Sequence, residues 1–190
     1  MLSSILLSSI LANGPGATAL VNDPSSHGTI GDANLSLDEA IRLANGTLSL
    51  TNLSAQEQAQ VSGQGAVTTV RIDASVTPVI AVQAPVTEIV GQGMAFGRVC
   101  VEGVALQGTR PILDGGSAGY VLSLKRHLVA ASGLRFEGGD VAIVAQMPMM
   151  MSQMNEMGMV SGCEFDGQNV YGVELLATGM EETMLSCTNS

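Results

Sequence analysis

Short runs in which apolar and polar residues alternate, separated by glycines, cover most of the chain. The clearest run is Ser161–Gly167, reading SGCEFDG, with a near-copy SGLRFEG at Ser132–Gly138 and a looser one, EGVALQG, at Glu102–Gly108. The glycines that open the three copies are Gly103, Gly133 and Gly162, so the steps are 30 and 29 residues. As strands, the copies place Val104 and Leu106, Leu134 and Phe136, and Cys163 and Phe165 on one face. Ala105, Arg135 and Glu164 then occupy the other. A further apolar run follows each copy, at Tyr120–Leu124, Val141–Ala145 and Val170–Leu176. Each period therefore holds at least two short strands and no helix. Such a unit cannot bury its apolar face alone, so successive copies must stack. With one copy per turn, equivalent strands pair in parallel about 4.8 Å apart. Leu106, Phe136 and Phe165 would form one internal ladder, and Val104, Leu134 and Cys163 another. The pattern predicts an all-β parallel solenoid over residues 67–190, with a flat, polar outer face. Cys187 is expected to continue the Cys163 position, with Asn189 next inward.

The region before the repeats supports this. In VTTVRIDASV, Val70 and Ile72 alternate with Arg71 and Asp73, and Pro85, Gly91 and Gly93 break the following segment. The exception is LSLDEAIRLANG at residues 35–46. Ser36 with Glu39 makes a capping box, Leu37, Ile41 and Ala44 make an apolar stripe, and Gly46 is a stop. A helix here, within a cap region spanning residues 20–66, would cover the open edge and core of the first turn.

Composition narrows the function. The chain has no Trp, three Phe and two Tyr but 23 Gly, which suits a narrow interior of stacked aliphatics. Its net charge of −10 lacks the clustered Lys and Arg that nucleic acid requires. No run reaches the length of a membrane-spanning helix. Residues 1–19 read as a leader, with an apolar run from Leu2 to Ala12 and small residues at Ala17-Thr18-Ala19, though no Lys or Arg precedes the run. The alternative is an ordinary strand or cap helix. Three cysteines without a CxxC pair indicate no disulfide framework.

The ordered set GDANLSLDEAIRLANG, VRIDASVTPVIAV, VGQG and SGLRFEGG resembles secreted right-handed β-helix proteins of the pectate-lyase-like superfamily. Their N-terminal motif commonly reads Cys-Ser-Leu-Arg-Glu-Ala-Ile. Here Leu35 stands for the Cys and Asp38 for the Arg. The resemblance implies a right-handed parallel β-helix with a short capping helix, located outside the cell or on its surface. Superfamily members include polysaccharide lyases, hydrolases, adhesins and surface proteins. The expected function is a non-catalytic scaffold or binding module for polysaccharide or protein partners; the alternative is a lyase or hydrolase.

Stacking sets Arg135 beside Glu164, which reads as a surface ion pair, and Glu137 beside Asp166. Arg135, Glu137 and Asp166 are the candidate catalytic set, followed by Lys125-Arg126-His127. Glu137 and Asp166 are also calcium candidates, to which Asp114 and Asp140 could contribute if turns bring them near. Residues 147–159 hold seven of the eleven methionines. Soft thioether sulfur at Met147, Met149, Met151 and Met154 would suit Cu(I), against the alternatives of core packing or partner contact. Asn34, Asn45 and Asn52 begin glycosylation triplets. An uncovered last turn would associate with another chain, or continue as a longer solenoid.

Overall fold

A computed structural model describes residues 16–90, 99–125, 129–148, 158–178 and 185–188. The alternation at residues 67–73 becomes strand β3 (Val67–Asp73), which buries Val67, Val70 and Ile72 and turns Arg71 and Asp73 outward. Strand β1 (Ala17–Val21) and the two-residue β2 (Val61–Ser62) precede it, and β4 (Val79–Ala81) follows. Each later turn of the chain supplies three strands. The first set is β5 (Val99–Val104), β6 (Ile112–Asp114) and β7 (Tyr120–Leu124). The second is β8 (Val129–Ser132), β9 (Arg135–Glu137) and β10 (Val141–Pro148). The third is β11 (Gly158–Ser161), β12 (Glu164–Asp166) and β13 (Tyr171–Thr178), with β14 (Leu185–Thr188) after it.

Corresponding strands pair and build three sheets. Sheet A runs β14-β11-β8-β5-β3-β1-β2, sheet B runs β12-β9-β6-β4, and sheet C runs β13-β10-β7. Every pairing is parallel except that of β1 with β2. The protein is thus mostly β, with three parallel sheets in register and little helix, consistent with a parallel β-solenoid. The core is made of ladders. Ala19, Val70, Val101, Ala131 and Val160 follow one another across sheet A, all buried. Ile80, Leu113 and Phe136 do the same across sheet B. Each large side chain so buried contributes about 1.5–3 kcal/mol.

Two ladder expectations are corrected. Leu106 is not the rung before Phe136; Leu113 is, and Leu106 is exposed. Residues 105–111 form an extra loop, closed by reciprocal backbone bonds between Leu106 and Thr109 and turned through Gln107 at φ 52°. The sequence copy that matches RFEGG is therefore ILDGG at 112–116, and EGVALQG shares only the sheet A register. Likewise Cys187 pairs with Val160 rather than with Cys163, because β14 extends sheet A. Asn189 lies outside the described residues.

Helix α1 (Leu37–Ala44) forms as the capping box requires. Ser36 Oγ accepts from the Glu39 N–H, and Glu39 Oε2 accepts from the Ser36 N–H at 2.9 Å. Gly46 (φ 72°) closes the far end, where Gly46 N–H and Thr47 N–H reach back to Leu43 and Arg42 carbonyls. The buried face presents Leu37, Ile41 and Ala44, with Leu35 also fully buried where the resembled motif carries Cys. A second short helix, α2 (Ala55–Gln58), has its own capping box in Ser54 and Glu57, and Glu57 also accepts from Gly31 N–H. The boundary placed between residues 19 and 20 falls inside β1. Ala17 and Ala19 are buried there against β3, so the fold begins no later than Ala17. Residues 1–15 lie outside the described part.

Sheet C also differs from the polar-faced sheet expected. Val121–Leu124 and Val141–Ala145 are buried at every consecutive position, so both faces are covered. A wall exposed on one side would show alternation.

Candidate functional site

Sheet B carries the charged outer wall. Its outward positions form two rows, Val79–Ile112–Arg135–Glu164 and Ala81–Asp114–Glu137–Asp166. The second row sets three carboxylates on adjacent strands about 4.8 Å apart, a repulsive arrangement unless a cation intervenes. The intervening cation is Arg135. Its Nη2 donates to Asp166 Oδ2 at 2.9 Å, and its Nε lies 2.8 Å from Glu137 Oε1. The Nε contact is ionic, since this nitrogen forms no well-angled hydrogen bond. Asp114 Oδ1 accepts from Gly116 N–H at 3.0 Å, which ties it to its own turn.

The sequence placed Arg135 with Glu164, and the strands do set them side by side. The guanidinium nevertheless turns to the other row, where two carboxylates are within reach. Glu164 pairs instead with Arg110, which comes from the extra loop. Gln168 completes the edge by donating Nε2 to the carbonyls of Asp166 and Phe136 at 3.0 and 3.1 Å. Beside this network the Phe165 ring stacks on Phe136, with centroids 5.4 Å apart and planes 10° from parallel. Arg135, Cys163, Glu164, Phe165 and Asp166 line an open groove of about 460 Å³.

The other candidates are dispersed. Lys125 Nζ pairs with Glu88 at 2.6 Å, while Arg126 and His127 lie outside the described residues. Asp140 accepts from Asn169 Nδ2 at 3.1 Å. Met147 belongs to β10 opposite Ala177, and Met149, Met151 and Met154 lie outside the described residues. Among the described residues, no three His, Cys, Asp or Glu side chains converge as a metal site. Arg110 was missed because the register ran through Leu106, and Asp114, expected beside Glu137 and Asp166 only if a turn brought it near, stands there as a strand residue. The signal that gives Asp114 its register is the acid-Gly-Gly ending shared by ILDGG and RFEGG.

A second set of polar contacts sits at the opposite end. Asp38, standing where the resembled motif carries Arg, accepts from Thr87 N–H at 2.7 Å. Seven residues on, Asn45 donates Nδ2 to the Glu88 carbonyl at 2.7 Å and accepts from Val90 N–H at 2.9 Å. One face of α1 thus satisfies the backbone of residues 87–90 as a neighbouring strand would.

No protein-family model, curated protein or solved structure matches the chain.

Proposed function

We propose that the chain is a right-handed parallel β-helix of the pectate-lyase-like kind that acts outside the cell as a non-catalytic scaffold, binding an extended polysaccharide or protein partner. The observation that carries this reading is the pairing of Arg135 with Glu137 and Asp166, beside Arg110 with Glu164. The residues best suited to acid and base roles are engaged in ion pairs within and between rungs. General acid–base work needs such a group directed at a substrate proton. The helix motif at residues 35–46 and the three-sheet coil support the choice of fold. Strands β7 and β10 of sheet C are covered, and the charged side chains Arg71, Glu102, Arg110, Arg135, Glu137, Glu164 and Asp166 lie on sheets A and B, which favours those walls as the surfaces for a partner.

The test is incubation with acidic and neutral polysaccharides, with and without Ca²⁺, following unsaturated products in the ultraviolet and new reducing ends. The expected result is retention on at least one immobilised glycan or surface-protein ligand without product. Turnover that Arg135→Ala abolishes would replace the scaffold by a lyase or hydrolase.

A further inference from the structure

Exposed aliphatic side chains gather where the coil turns from sheet A into sheet B, on the β3–β4 and β5–β6 rungs. Val76 and Val79 are 48% and 42% exposed in the first of these rungs, and Leu106 is 47% exposed in the second. Ile112 pairs with Val79 and continues the set on the outward face of sheet B. Leu106 reaches the surface through the loop at 105–111. The next two rungs pass the same corner in two residues, Gly133-Leu134 and Gly162-Cys163. Stacking therefore does not require the loop, which holds Gln107 in the left-handed region at φ 52°. Single exposed aliphatics are ordinary, but several at one corner mark a contact surface.

Carboxylates surround this corner. Asp73 precedes Val76, and Asp114 follows Ile112 on the same outward face. Asp23 lies one rung below, between the pairings of Val21 with Ile72 and Ser25 with Ala81. Each is fixed by a backbone N–H of its own turn, from Ser75 at 2.8 Å, Gly116 at 3.0 Å and Ser25 at 2.8 Å. None of the three is ion-paired with a described Lys, Arg or His. The described cations, Arg42, Arg71, Arg110, Lys125 and Arg135, are each already paired with a carboxylate elsewhere.

We propose that this corner docks a segment of another protein whose apolar residues are flanked by lysines or arginines. The apolar side chains would cover Val76, Val79, Leu106 and Ile112, and the cations would meet Asp23, Asp73 and Asp114. The proposal rests on the reading of the chain as a binding scaffold and narrows its partner to a protein. The outward positions of β4, β6 and β9 hold no aromatic ring on which a sugar could stack. The carboxylates at the corner would repel an acidic polysaccharide. A second copy of this chain fits less well, because its described cations are all engaged.

The test is fluorescence anisotropy of the whole chain at physiological salt with a labelled Lys-Leu-Ala-Lys-Leu-Ala-Lys peptide. The controls are Lys-Ser-Ala-Lys-Ser-Ala-Lys, which keeps the charge, and Glu-Leu-Ala-Glu-Leu-Ala-Glu, which keeps the apolar residues. The leucine–lysine peptide should bind about tenfold or more tightly than either control. A Val79→Ser/Leu106→Ser variant, altered only at exposed positions, should bind it no better than the serine peptide. Equal binding of the leucine and serine peptides would overturn the proposal, leaving only non-specific charge attraction. So would the absence of peptide binding, or a dimer by sedimentation that the variant dissociates, which would make the occupant a second copy. The comparison of peptides uses the unmodified protein and stands even if the variant misfolds. Retention on a glycan without peptide binding would overturn this proposal and leave the scaffold reading in place, whereas polysaccharide turnover would overturn the scaffold reading itself.

Discussion

Gly103 and Gly133 meet backbone to backbone between adjacent rungs. A Cβ on Gly133 would lie 2.5 Å from the Gly103 carbonyl oxygen, and one on Gly103 would lie 2.8 Å from the Gly133 carbonyl carbon. Gly133 also holds φ 65°, a region in which side chains are strained. The interval that marks the repeat thus records the place where the coil bends from sheet A into sheet B with no room for a side chain.

Gly103→Ala should destabilise the fold by about 3 kcal/mol, since backbone rather than a flexible side chain must move. Gly119→Ala, where a Cβ meets nothing within 4 Å, is the control and should be close to neutral. Urea denaturation of the two variants measures the difference.

Asn45→Ala should cost about 1–3 kcal/mol by leaving the Glu88 carbonyl and Val90 N–H without their partner. Hydrogen exchange gives the sharper readout, because the Val90 amide should lose protection well before the central strands of sheet A. Unchanged protection at Val90 would mean that α1 does not cover that edge.

The elements written in local pattern were legible in the sequence. The capping box of Ser36 and Glu39 and the alternation at Val70–Asp73 are visible because each depends on neighbours within one run, and the register of Arg135–Glu137 with Glu164–Asp166 because the two copies match residue for residue without an insertion. What was not legible depends on contacts between distant runs. An extra loop at 105–111 shifts sheet B by seven residues without altering the Gly103–Gly133 step, so Leu106 stood in for Leu113. Ion-pair choice is also invisible to register. Arg135 and Glu164 are neighbours by strand pairing, but Arg110, brought in by that loop, takes the carboxylate. Asn45 reads as a glycosylation triplet until residues 88–90 are seen beside it.

Arg135→Ala should cost no more than about 1 kcal/mol, because its ion pairs are partly exposed. The variant leaves Asp114, Glu137 and Asp166 repelling one another, so added NaCl should recover part of the loss by screening. A variant whose stability deficit grows with salt would contradict the bridging role.

Hydrogen bonds from the Ser75 side chain and backbone hold the Asp73 carboxyl below its ordinary range. A carboxyl depressed in the folded state contributes stability that is present above its unfolded pKa and lost as pH falls through the folded value. Ser75→Ala should therefore reduce stability at neutral pH and flatten the acid limb of the stability–pH curve. Denaturant midpoints taken from pH 7 down to pH 2 would show it, and parallel curves for the two proteins would refute the assignment.

The central claim is that sheet B stacks in the register Asp114–Glu137–Asp166, since the paired wall follows from it. Spin labels at Asp114→Cys and Asp166→Cys, in a background with the native cysteines replaced by serine, test it by continuous-wave dipolar broadening in frozen solution. Two rungs separate the sites, so their backbones should lie about 10 Å apart and the spectrum should broaden strongly. A Leu106→Cys/Asp166→Cys pair, which the Leu106 register would place in close proximity, should broaden less. Narrow lines for the 114/166 pair together with strong broadening for 106/166 would contradict the register.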